Sequence, residues 1–140
     1  MAKKDMNEEE LQQKYHHFKQ IQEHLEQLSQ QAELMNERNA ELAVTKESLE
    51  EIKKTKEKTE ILAPLADGIF MKVELRDRQN LLVNIGADTV VLKTVDEVIE
   101  LIEEQKKELS LKIVQLESIM QEMQGQALAI YQQVEGHLGN

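Results

Sequence analysis

The chain has 140 residues (16.2 kDa), enough for one ordinary domain, but aromatics at 3%, one Pro and five Gly are too few for a compact multi-element globule and suit long helices. A net charge of −10 argues against a dedicated nucleic-acid binder, since phosphate recognition needs a cationic surface. The absence of Cys removes disulfides, thiolate catalysis and zinc–thiolate sites together.

Lys3 and Lys4 are followed by Asp5, Glu8, Glu9 and Glu10, where a signal peptide would need an apolar stretch. No run approaches the ~18 apolar residues of a membrane span, so a cytoplasmic location without membrane attachment is expected.

The first sixty residues predict an N-terminal coiled-coil helix. With Leu11 as a, the a positions are Leu11, Phe18, Leu25, Ala32, Asn39, Lys46 and Lys53. The d positions are Lys14, Ile21, Leu28, Met35, Leu42, Leu49 and Lys56. This 3-4 spacing keeps one narrow stripe facing a partner helix. The polar a positions Asn39, Lys46 and Lys53 cost stability and fix register; flexibility of the arm is the functional alternative.

Residues 61–94 read as two β-hairpins. Ile69, Met71, Val73 and Leu75 alternate onto one face, and Ile61 to Leu65 supplies a strand before them. Leu81 to Ile85 and Val90 to Lys93 are β-rich runs. Asp67-Gly68 and Gly86-Ala87-Asp88 are the turns. Isolated hairpins are marginal and leave open edges, so this region asks for oligomerisation. The residues expected to carry it are Ile69, Met71, Val73, Leu81, Val83, Ile85, Val90, Val91 and Leu92.

Residues 95–140 predict a C-terminal coiled-coil helix. Its d positions are Val95, Ile102, Leu109, Leu116, Met123 and Ile130; its a positions are Ile99, Lys106, Ile113, Met120, Ala127 and Val134. Thr94 followed by Glu97 is a capping-box start. A chain reversal through the β region lets the two stripes face each other as a long antiparallel helical hairpin.

With this layout the sequence resembles the α-class subunits of prefoldin, the archaeal and eukaryotic chaperone. Pro64-Leu65 before a turn and Ile69-Phe70 are similar to that family's first hairpin. Leu82-Val83-Asn84-Ile85-Gly86-Ala87 is similar to its hydrophobic strand ending in Gly, and Val91 to Glu97 to its exit into the second helix. Two hairpins between the helices mark the α class. The resemblance implies a hexamer of two α and four β subunits whose hairpins form a double β-barrel platform. It implies that non-native client proteins are held at the tips of the coiled-coil arms and passed to a group II chaperonin without ATP. Some α-like paralogues form filaments, so a homo-oligomer stays open.

Antiparallel pairing gathers apolar residues at the arm end: Met6, Leu11, Tyr15 and Phe18 near Leu128, Ile130, Tyr131, Val134 and Leu138. Leu128 and Tyr131 lie off the seam. Such Met and aromatic surface suits promiscuous binding, while ordinary end-packing of a coil accounts for it equally well. The expected client-binding tips are Met6, Leu11, Tyr15, Phe18, Leu128, Tyr131, Val134 and Leu138.

Other constellations read as structural. His17 and His24 share a helix face, but seven residues at ~1.5 Å place them about 10 Å apart, too far for one ion. The run from Lys53 to Lys58 suits a solvated helix end, with an acidic partner or nucleic acid as the minor reading. Nothing forms a nucleophile–base pair or phosphate loop, so neither an enzyme nor a cofactor is indicated. The expectation is an ATP-independent holdase subunit; the alternative is a structural coiled-coil protein that self-assembles through its β region.

Overall fold

The computed structural model describes residues 7–138, and the side chains of residues 7–136. Element order is α1 (Glu8–Lys54), β1 (Glu60–Ala66), β2 (Ile69–Glu74), β3 (Asn80–Gly86), β4 (Thr89–Thr94) and α2 (Val95–Leu138). The chain divides into two compact units. One comprises the chain up to Arg38 and from Leu109 onward; the other is Asn39–Glu108.

In the first unit α1 starts on a cap that the sequence reading passed over. The Glu10 N–H donates to Asn7 Oδ1 at 2.8 Å, and Glu8, Glu9 and Glu10 lie at the positive end of the helix dipole. From there the heptad is reproduced by burial. Leu11, Lys14, Phe18, Ile21, Leu25, Leu28, Ala32 and Met35 are buried or half-buried, and every residue between them is exposed. On α2 the same holds for Leu109, Ile113, Leu116, Met120, Met123, Ala127, Ile130 and Val134. The stripes meet in two clusters. Ile21, Ala127 and Ile130 pack with Phe18, Leu25, Met123 and Val134, and Leu28, Ala32 and Leu116 pack with Met35, Met120 and Met123. The pairing is antiparallel: Lys14 Nζ donates to Gln133 Oε1, and the Phe18 and Tyr131 ring centroids are 6.4 Å apart.

In the second unit the seam continues through Leu42 and Leu49 on α1 and Val95 and Ile102 on α2, all buried. The polar a position Lys46 is accommodated by charge. Its ammonium reaches Glu103 across the pair at 2.9 Å, and that hydrogen bond, with the carboxylate's charge, raises its pKa. The expected register fails at the end of α1. Lys53 and Lys56 are exposed, and Ile52 and Thr55 take the half-buried positions instead. The helix stops at Lys54, earlier than its permissive composition suggests, because the chain turns there. The Thr55 N–H and hydroxyl both donate to the Ile52 carbonyl (3.1 and 2.6 Å), and Lys58 takes a left-handed φ of 61°. Lys53, freed from the seam, pairs with Asp96 at the surface, which raises its pKa chiefly by hydrogen bonding.

Each hairpin is a two-stranded antiparallel ribbon, β1 with β2 and β3 with β4. The ribbons are structural repeats, a relation not read from the sequence. Glu60 pairs with Glu74 and Asn80 with Thr94, a displacement of 20 residues that holds for every pair in the two ladders. Both ladders shift register near the turn, between Pro64 and Ala66 and between Asn84 and Gly86, leaving Leu65 and Ile85 as the extra residues. The Leu75 N–H donates to the Thr59 carbonyl at 2.8 Å, and the Val95 N–H repeats this with the Gln79 carbonyl at 2.8 Å. Only the turns differ. Gly68 supplies a positive φ in the first, whereas Ala87 and Asp88 both adopt it in the second, the geometry of a type I′ turn. Between the ribbons the Asp77 carboxylate accepts from the Gln79 and Asn80 N–H groups and from Asn80 Nδ2, at 2.9, 3.1 and 3.1 Å. Thr94 ends β4 and caps α2: its Oγ1 accepts the Glu97 N–H at 3.1 Å, and its hydroxyl donates to the Glu97 carboxylate.

Two predictions follow from this packing. Asn39 is half-buried at a seam position. Asn39→Leu is expected to stabilise the protein by about 1 kcal/mol, a rise of roughly 4 °C in the melting midpoint followed by helical circular dichroism. A lower midpoint would show that the Asn39 side chain holds the seam by its own bonds. Asp77 is held below the ordinary aspartate value, first by the Gln79 N–H and then by Asn80. A depressed pKa means stabilisation that is complete above the unfolded value and lost as pH falls through the folded one. The Gln79 and Asn80 amide resonances should therefore titrate with a midpoint below 3.8, and Asp77→Ala should abolish that transition.

Candidate functional site

Large apolar side chains are exposed in the ribbons and at the helix ends, and also along the helices at Leu34, Val44, Leu111, Val114 and Ile119. In the ribbons the alternation of side chains is visible in burial. Ile61, Ala63, Val73, Leu81, Val83 and Val91 share half-buried faces. The opposite faces and the turn ends are exposed, and they are apolar as well. Leu62, Leu65, Ile69, Phe70 and Met71 stand out from the first ribbon; Leu82, Ile85, Val90 and Leu92 stand out from the second. Leu82 is the extreme case, at 76% exposed.

Of the nine ribbon residues read from the sequence, Val73, Leu81, Val83 and Val91 are half-buried, and Ile69, Met71, Ile85, Val90 and Leu92 are exposed. Leu62, Leu65, Phe70 and Leu82, outside those nine, are exposed as well, and Leu62 and Leu82 are marked in the sequence by the unbroken apolar pairs Ile61-Leu62 and Leu81-Leu82. Such runs are characteristic of strands covered on both faces, whereas strict alternation looks for only one. Both strands of each ribbon also keep an outer edge without a backbone partner among the described residues.

The helix ends carry the second set. Tyr15, Leu128 and Tyr131 are exposed, at 56, 57 and 52%. Leu11, Phe18 and Val134 are half-buried, and Phe18 and Val134 pack onto the Ile21 cluster. Phe18 and Tyr131 touch through their rings, so the two helices do bring these residues together. The Lys19 ammonium lies 5.3 Å from the centre of the Tyr15 ring, an exposed cation–π contact. Met6 and the Leu138 side chain, also read as tip residues, lie outside the described residues.

Among the described residues, no three of His, Cys, Asp and Glu converge where an ion could be held, and no helix is long and apolar enough to cross a membrane. The perturbed titrating groups, Lys46, Lys53 and Asp77, are all explained by local ion pairs or a turn.

Comparison with known proteins decides the family. The prefoldin subunit family model matches residues 21–138. The chain belongs to the prefoldin family, in its α class. It is 32% identical over 119 residues to prefoldin subunit alpha of Pyrococcus horikoshii, covering 84% of this chain and 80% of that one. It is 28% identical over 138 residues to prefoldin subunit alpha of Methanococcus aeolicus, covering 94% of each. Among solved structures, the cryo-EM structure of filamentous PFD from Methanocaldococcus jannaschii superimposes with a TM-score of 0.73. That match covers 81% of this chain and 94% of that one at 17% identity, which bears on fold alone. Two long helices with two small antiparallel hairpins between them are the prefoldin fold, and membership makes this chain an archaeal-type chaperone subunit.

Proposed function

We propose that this prefoldin α subunit is part of an ATP-independent cytoplasmic holdase. In this reading its ribbons join those of β-class subunits in a closed β-barrel platform, and its helix ends hold non-native proteins for delivery to a group II chaperonin. The observation that carries the reading is the pair of ribbons with large apolar side chains exposed on their surfaces and open strand edges. Prefoldin α subunits assemble with β subunits, and a ribbon of this kind is stable only when further strands cover it. Assembly consumes the ribbons, and the seams consume the a and d residues. Tyr15, Leu128 and Tyr131 are then the large apolar side chains left at the helix ends. Each buries against a client for roughly 1.5–3 kcal/mol at most, so one arm binds weakly and several bind usefully through effective concentration.

A second reading has its own support. The 20-residue repeat gives one chain two equivalent ribbons, each able to pair with another copy, and the solved neighbour is itself filamentous. Native mass measured with and without a β-class subunit separates the two. A defined hetero-oligomer supports the holdase, and a polydisperse homopolymer supports self-assembly.

Two outcomes test the proposed roles. Val83→Asp places a charge in the half-buried face of the second ribbon and should reduce the assembled species to free subunits while helicity is retained. Assembly at full mass would remove the ribbons from the platform. Tyr15→Ser, Leu128→Ser and Tyr131→Ser combined should leave the assembled mass intact and cut suppression of client aggregation at least several-fold, measured by light scattering of an unfolding enzyme. Undiminished protection by that complex would place the client site elsewhere.

A further inference from the structure

We propose that the turn from α1 into β1, together with the link between the two ribbons, forms a docking surface for a carboxylate-rich segment of a partner protein. The surface is assembled from two stretches, Lys53 to Thr59 and Leu75 to Gln79. The Lys58 N–H donates to the Leu75 carbonyl at 3.2 Å, the Leu75 N–H returns a bond to Thr59, and the Arg78 guanidinium donates to the Thr55 carbonyl. These bonds place Lys53, Lys54, Lys56 and Lys58 beside Arg76 and Arg78, about a third of the chain's 17 cations.

Some of this charge is already spoken for. Lys53 pairs with Asp96, and Arg78 is bound to the backbone. Of the two acids in these stretches, Asp77 is turned into its own loop, and Glu57 is exposed. Lys54, Lys56, Lys58 and Arg76 remain, all exposed and without an ion-pair partner among the described residues.

The helix dipole accounts for Lys54 but not for the other three, and solubility accounts for none of the four. The helix dipole favours cations only within the last turn, and α1 ends at Lys54, so Lys56, Lys58 and Arg76 lie beyond it. A chain with a net charge of −10 needs no local positive surface to stay soluble. Lys58 also keeps a long side chain at φ 61°, a conformation that Gly or Asn adopts more cheaply.

The occupant is a short acidic polypeptide segment. A nucleic acid carries a negative charge at every phosphate and would extend from this small patch over a chain that is otherwise strongly acidic. A run of Asp or Glu a few residues long presents its charge only where the four cations are. This surface uses neither the apolar ribbon faces nor the exposed Tyr15, Leu128 and Tyr131, so it stands apart from the chaperone reading.

The test is fluorescence anisotropy with the full-length protein in its assembled form and a labelled twelve-residue peptide carrying four consecutive Glu between neutral flanks, at low and at physiological salt. The comparison protein carries Lys54→Gln, Lys56→Gln, Lys58→Gln and Arg76→Gln. The expected result is saturable binding that weakens with salt and is at least tenfold weaker in the variant, with helicity and assembled mass unchanged. Should the fourfold variant fail to assemble, Arg76→Gln alone is expected to weaken binding about threefold. Equal binding by parent and variant, or no binding by the parent, overturns the proposal. So does tighter binding of a labelled twelve-residue oligouridylate than of the peptide.

Discussion

A two-stranded ribbon has two faces and two edges, and this chain supplies nothing to cover most of them. Ile61, Ala63 and Val73 are only half-buried, while Leu62, Phe70 and Leu82 are open to water. At roughly 25 cal/mol for each Å² of apolar surface, such exposure is a standing cost that only further strands can remove. The rest of the architecture is consistent with a chain that gains much of its stability on assembly. The helices bury their a and d residues against each other, no polar side chain among the described residues is buried, and the clusters around Ile21 and Leu28 are small.

The seam between the helices is narrow, and it sets register by charge as well as by packing. An all-apolar stripe tolerates sliding by a heptad, because a and d residues of similar size are interchangeable. Lys46 interrupts that stripe, and in the observed alignment its ammonium pairs with Glu103. Exposed pairs of this kind add little stability, so its contribution is to alignment. Met35, Met120 and Met123 do the opposite. Flexible thioethers around Ala32 fill an uneven layer without dictating its geometry.

The heptads could be read from the sequence because burial in an isolated helix pair has one cause. A residue is covered only if it faces the other helix, so periodicity and burial coincide from Leu11 to Met35. They part company at Lys53, where the end of α1 is set by contacts with a segment more than twenty residues later, including the Arg78 bond to Thr55. No local pattern contains that information. The Asn7 cap was locally visible as Asn followed three residues on by Glu, but no apolar run stands beside it to mark a helix start. At the helix ends, heptad position separated the exposed Leu128 and Tyr131 from the packed Phe18 and Val134, because the partner helix covers a and d residues most completely.

The repeat of the ribbons stayed hidden for a different reason. Apolar residues do recur 20 apart, as in Ile61 and Leu81, Leu62 and Leu82, and Leu65 and Ile85, but the match is broken where Val73 corresponds to Lys93, Glu74 to Thr94, and Gly68 to Asp88. What is repeated is the ladder, the bulge before the turn and the closing bond from Leu75 or Val95. The second of these places is also the start of α2, so Thr94 serves as the last strand residue and the helix cap at once. That double use leaves no flexible linker between ribbon and helix. The first ribbon has no such constraint at its end, since Leu75 leads into the Asp77 turn instead. The two ribbons are thus alike in pairing and unlike in attachment, the second running directly into α2 and the first into the Asp77 turn.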